Sequence, residues 1–226
     1  FVATNAVAPG PSRSSQMFAL MTNKVQMLTA TQVGPFLEVN QRSAASLLAA
    51  FRTTGNPTLI AEAMQKYPTD PQVAFEAVFR TNATPVERRQ WLEAFKQSDP
   101  ENSMANYLSA LDHFKAGQTD QALADLVAAS GKKPFQDYSL DRIQADEIAY
   151  LSAGYPPGEA KLMANAYLTL PQLVQIRDLG LKLIDLATSY QQAGDPPSRQ
   201  SALDTAAHLG RRFGGDRESP MLNSGP

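Results

Sequence analysis

The chain has 226 residues, 43% hydrophobic and 19% charged, with a formal net charge of −2 and no cysteine. That length can bury the core of one large or two small domains. The charge balance, with no basic cluster beyond pairs such as Lys132-Lys133, argues against nucleic acid and a polybasic membrane patch, while the missing cysteines exclude disulfides, thiolate catalysis and cysteine-ligated metal.

Residues 1–15 read as a flexible linker. Phe1-Val2-Ala3 leads into Ala8-Pro9-Gly10-Pro11-Ser12, a composition expected just past a removed signal or membrane anchor. This sets an exported, periplasmic or membrane-tethered location slightly ahead of a cytoplasmic one, with an arbitrary boundary as the alternative. No run approaches the ~20 apolar residues of a membrane span, so no insertion is expected within these residues.

From residue 16 onward the text is helical. Met17, Leu20, Met21, Lys24 and Leu28 recur at three- and four-residue spacing and predict a first amphipathic helix over 14–30. A second is predicted over 35–52, with Phe36, Val39, Ala44, Leu47, Leu48 and Phe51 on its apolar face. Gly55-Asn56-Pro57 ends it and starts the next, because Gly fits a C-terminal cap and Pro the first helical turn. Further helices are predicted over 58–66, 71–80, 85–97, 103–116, 120–130, 139–153, 157–168, 171–193 and 197–213. Residues 214–226, rich in Gly, Ser and Pro, read as a disordered tail. Alternating Val, Ile and Thr, which strands would need, is missing.

A recurring period organises these helices. Pro100 and Pro134 are 34 residues apart. The segment between them carries Ala110 in its first helix, Gly117 at the turn, Ala122, Leu126 and Ala129 in its second helix, and Pro134 at its close. This pattern resembles a tetratricopeptide repeat, with Asn106, Ser109 and His113 departing from the family's large first-helix residues. Small residues let paired helices approach, Gly supplies a left-handed cap, and Pro stops the second helix. Weaker echoes occur where Tyr150 precedes Gly154 and Tyr190 precedes Gly194 by the same four residues as His113 precedes Gly117. The resemblance implies an all-α fold over 16–213, a right-handed superhelical solenoid of antiparallel helix pairs. The alternative is an irregular helical bundle containing one repeat-like hairpin.

The motifs of chemistry are sparse. His113 and His208 are the only histidines, and neither has a ligand at metal-site spacing on its own helix. No nucleophile elbow, phosphate loop or dinucleotide fingerprint occurs. Carboxylates such as Asp141, Asp146 and Glu147, or Asp120 and Asp125, read as solvated helical faces, with Asp120 as a helix cap. The expectation is a non-catalytic protein with no cofactor.

In the repeat family the first helix of each pair lines a concave groove. The resemblance carries that role onto Met104, Tyr107, Leu111, Phe114 and Lys115, an apolar strip with one cation that suits a peptide or protein partner. Leu108 stands where the family's carboxylate-clamping Asn belongs. The competing reading buries Tyr107, Leu111 and Phe114 against the next hairpin, as apolar stripes usually are. The functional expectation is an interaction or scaffolding module. The alternatives are a structural spacer or self-association domain of a larger exported or anchored protein, and, less favoured, a helical enzyme with a carboxylate site.

Overall fold

Capping residues set most of the helix starts. Thr29 and Gln32 form a reciprocal capping box for α1 (Ala30–Val39). Ser43 caps α2 (Ala44–Thr54), and Asn56 caps α3 (Pro57–Lys66) through the Thr58 N–H. Asp70 accepts two N–H groups at the start of α4 (Pro71–Val78), and Thr84 with Glu87 boxes α5 (Pro85–Ser98). Three of these helices carry Pro at their first position, where its missing N–H would have no partner in any case. There follow α6 (Ser103–Lys115), α7 (Thr119–Ser130), α8 (Ser139–Ser152), α9 (Pro157–Ala166), α10 (Pro171–Gln192) and α11 (Pro196–Gly214). The structure, a computed structural model, describes residues 27–214 except Tyr167 and Thr169. Among the described residues the protein is all-helical, with no strand.

Several expectations need correction. The helix predicted over 35–52 is two helices, broken at Gln41 and Arg42, which take φ of 52° and 48°. Pro35 does not begin a helix; it lies inside α1, and Val39, expected on the apolar face, is 82% exposed. Asp120 sits in the first turn of α7 rather than capping it; the cap position is Gln118, without a side-chain hydrogen bond. Of the helix predicted over 14–30, residues 14–26 lie outside the described residues. Residues 27–29 are not helical: Leu28 is buried and donates its N–H to the Thr53 carbonyl at 2.8 Å.

Tertiary contacts group the chain into two units. The first spans residues 1–105 and 132–170. In it α2 packs against α1, α3 and α4, α4 against α5, and α8 against α9. The packing is not confined to chain neighbours, since α8 also lies against α1 and α2. Leu47, Leu48, Ala49 and Ala50 of α2 meet Ala149 and Tyr150 of α8 in one fully buried cluster. Trp91 packs half-buried against this cluster.

The second unit spans residues 106–131 and 171–226. Its long helices α10 and α11 pack on each other, with Leu179 and Leu183 of α10 and Leu209 of α11 buried. The Tyr107 ring meets Phe213 edge-on at 6.2 Å, and the Arg212 guanidinium lies 5.9 Å from the Tyr107 ring centre.

Candidate functional site

Of the sequence-predicted strip, Met104 and Leu111 are at most 1% exposed and Tyr107 is 3% exposed. Phe114 is half-buried and Lys115 exposed. Helix α6 is buried on every side from its start to Leu111, so its apolar residues are interior rather than one open face. The polar residues at repeat-departing positions are buried with them. Asn106 donates to Asp125 Oδ1 at 3.0 Å, and Ser109 donates to Asp125 Oδ2 at 2.5 Å. Buried polar groups need such partners, because an unmade bond costs about 1–3 kcal/mol.

His113 joins this cluster from the edge. Its Nδ1 lies 2.7 Å from Gln118 Oε1, and its Nε2 lies 3.6 Å from Asp125 Oδ2. The set Ser109, Asp125 and His113 contains the residue types of a nucleophilic triad but not its order. A triad needs the imidazole between hydroxyl and carboxylate; here the hydroxyl bonds the carboxylate directly.

A second polar cluster lies in the first unit, where Arg52, Glu76, Arg142 and Asp146 are each no more than about a tenth exposed. Arg52 grips Asp146 through Nε and Nη2 at 3.0 and 2.7 Å, and Nη1 donates to Glu76 at 3.0 Å. Arg142 Nε reaches the same Glu76 oxygen at 3.0 Å, and its guanidinium lies 5.8 Å from the Phe75 ring centre. Burial works against the Arg52 charge, yet Asp146 and Glu76 raise its pKa above that of an ordinary arginine. Burial pushes the Asp146 carboxyl up, and Arg52 pulls it back. Two cations and two anions close the cluster without net charge, which suits a core clamp joining α2, α4 and α8. Among the described residues no group of three or more His, Asp or Glu is placed to hold a metal ion, and no helix is long and apolar enough to cross a membrane.

The open apolar surface lies elsewhere. Helix α10 buries Gln172, Ile176, Leu179, Leu183 and Ala187, a stripe at helical spacing. Beside it runs a second stripe of Leu173, Arg177, Leu181 and Ile184, flanked by Val174. At 100° per residue these positions share one arc of about 100°. Leu173, Val174, Leu181 and Ile184 are 44–54% exposed. Where that arc meets α11, a groove of about 320 Å³ opens over Ile176, Gly180, Ala206, Leu209, Gly210 and Phe213. Sequence reasoning missed this site, although the unusually wide apolar arc of α10 was its signal. No protein-family model matches the chain, and neither curated proteins nor solved structures give a match.

Proposed function

We propose that the protein is a non-catalytic interaction module built from degenerate tetratricopeptide-like helix pairs, with no cofactor, which holds a protein or peptide partner. The observation that carries this reading is a turn used three times. Gly117, Gly154 and Gly194 follow His113, Tyr150 and Tyr190 by four residues and take φ of 72°, 88° and 71°. In each turn the residue after the glycine donates its N–H to the carbonyl of the earlier His or Tyr, at 2.9, 3.1 and 2.9 Å. This is the 6→1 bond of a left-handed helix cap, which folds the chain into the next helix. Three identical caps at matched sequence positions support repeated hairpins.

Strict solenoids stack each unit only on its neighbours, and the α2–α8 packing departs from that order. The reading is therefore of repeat hairpins with α8 packed out of sequence on α1 and α2. The mechanism of binding is shape: a pre-formed helical surface costs little to order when a partner docks. The test is site-specific photocrosslinking of the full chain in its native extract, scanning exposed apolar positions such as Val39, Val127, Leu140 and Leu181. An interaction module gives reproducible adducts with the same protein from neighbouring positions, competed by unlabelled chain. Adducts that are absent, or that scatter without competition, contradict it.

A further inference from the structure

We infer that the buried Arg52, Glu76, Arg142 and Asp146 form a recognition device inside the fold, which selects α8, in one register, as the helix that packs on α2. The inference is independent of the interaction-module reading. The quartet draws Arg52 from α2, Glu76 from α4, and Arg142 and Asp146 from α8, with every side chain at most 10% exposed. Each arginine meets an acid and each acid an arginine. Asp146 lies on Arg52, and Glu76 takes both Arg52 and Arg142.

Stability does not account for the quartet. Burial raises the Asp146 carboxyl's pKa more than Arg52 and Arg142 lower it, and Glu76 adds to the rise. An acid whose folded pKa lies above its unfolded value favours folding at low pH and loses that contribution as pH rises through the folded pKa. At neutral pH the ionised Asp146 is therefore held against the cost of its burial, as buried ion pairs commonly are. Apolar side chains of similar volume would fill the same space without that cost. What they would not do is discriminate.

The rest of the α2–α8 contact selects weakly. It includes Ala49 and Ala50 of α2 and Ala145 and Ala149 of α8, beside Leu47, Leu48 and Tyr150, and apolar surfaces of similar volume substitute for one another readily. A competitor exists in α10, whose apolar arc is wider than its own packing buries. The charges tell the helices apart. Within a helix, an arginine followed four residues later by an acid occurs in α8 and, at Arg89 and Glu93, in α5, where the two pair with each other at 3.9 Å. Four residues after Arg177 of α10 stands Leu181, and four after Arg199 of α11 stands Leu203. Either helix laid on α2 would bury Arg52 without its carboxylate from across the contact. The same spacing sets the register: sliding α8 by one turn, about 5.4 Å, would bring Arg142 rather than Asp146 against Arg52. Repulsion built in against wrong partners is how charge gives specificity.

The experiment uses the full chain, which has no cysteine of its own. Spin labels are attached at Ala45→Cys on α2 and Gln144→Cys on α8, both exposed positions, and pulsed electron paramagnetic resonance reads the distance between them. With the quartet intact, one narrow distance is expected. Replacing the quartet by Arg52→Met, Glu76→Met, Arg142→Met and Asp146→Leu should leave the urea midpoint equal or higher and split or broaden the distance, by about 5 Å for a one-turn slip. A second variant exchanges the two charges of α8, Arg142→Asp with Asp146→Arg. It should lose the original distance while circular dichroism shows its helix content unchanged. A single narrow distance at the original value in either variant overturns the inference, because apolar packing then places α8 unaided. A lower midpoint in the apolar variant also overturns it, making the charges a stabiliser. So does loss of helix content in the exchanged variant, since the charges would then be needed to form the helices rather than to choose among them.

Discussion

Asn102 and Gln136 stand 34 residues apart and clasp each other: the Asn102 amide donates to the Gln136 carbonyl at 2.9 Å and accepts the Gln136 N–H at 3.1 Å. The separation equals that of Pro100 and Pro134. The clasp closes inside the first unit, which the chain leaves after Ala105 and re-enters at Lys132. Ser103 reinforces it, giving both its N–H and its hydroxyl to the Pro134 carbonyl. The Asn102 oxygen also receives the Met104 N–H, and its amide bonds Asp99. Tyr138 donates to Asp99 at 2.5 Å; burial and that carboxylate push the phenol well above its ordinary pKa.

Asn102→Ala strips these bonds together and leaves the buried Met104 N–H without its partner. A loss of about 2–4 kcal/mol is expected, somewhat above that of one buried unsatisfied group, read as a lower urea midpoint. Ser103→Ala removes only the hydroxyl and should cost about 1 kcal/mol.

The buried cluster predicts an asymmetry between breaking and replacing charges. Arg52→Met leaves Asp146 and Glu76 sharing a buried site with Arg142 alone and should cost about 3–5 kcal/mol. Adding Asp146→Leu to Arg52→Met removes one orphaned carboxylate and should recover part of that loss. A double variant less stable than the sum of the two single variants would contradict the pairing.

At acid pH the Arg42–Glu62–Lys66 pairs should contribute less to stability. Hydrogen bonds from Arg42 and then Lys66 hold the Glu62 carboxyl at about 2, below its ordinary 4.5. A depressed folded pKa stabilises the fold above the unfolded value, and that contribution is lost as pH falls from about 4.5 toward 2. The site is partly exposed, so the effect is at most about 1 kcal/mol. Denaturation at pH 5.5 and 2.5 should show a smaller acid loss in Glu62→Gln than in the parent.

Glycines at turns and in helices should behave oppositely. Gly117 holds φ of 72°, so Gly117→Ala should destabilise by about 1–2 kcal/mol. Gly180 lies inside α10 with open space for a Cβ, so Gly180→Ala should stabilise by up to about 1 kcal/mol.

Much of the helical layout was legible because its signals are local. Gly55-Asn56-Pro57 marks a stop and a start, and Gly55 and Pro57 take those roles, with Asn56 capping the new helix between them. The break at Gln41-Arg42 was not legible, since neither residue advertises a positive φ. Nor was the meeting of Arg52 with Asp146, 94 residues away, because helical spacing says which side chains share a face and not which helix covers them. The candidate strip shows the same limit. Asn106 and Ser109 read as departures from the repeat pattern, but Asp125 satisfies both and α6 is buried from its start to Leu111. On α10 the wide apolar arc was visible, but not that α11 covers only part of it.

The most direct test of the interaction module is a quantitative pull-down from native extract with three baits: the full chain, its Leu181→Glu/Ile184→Glu variant, and an unrelated helical protein. The account predicts that one or a few proteins are enriched by the full chain over the unrelated bait, and are lost by the variant although it stays folded. If the full chain enriches nothing over the unrelated helical protein, the protein is not an interaction module.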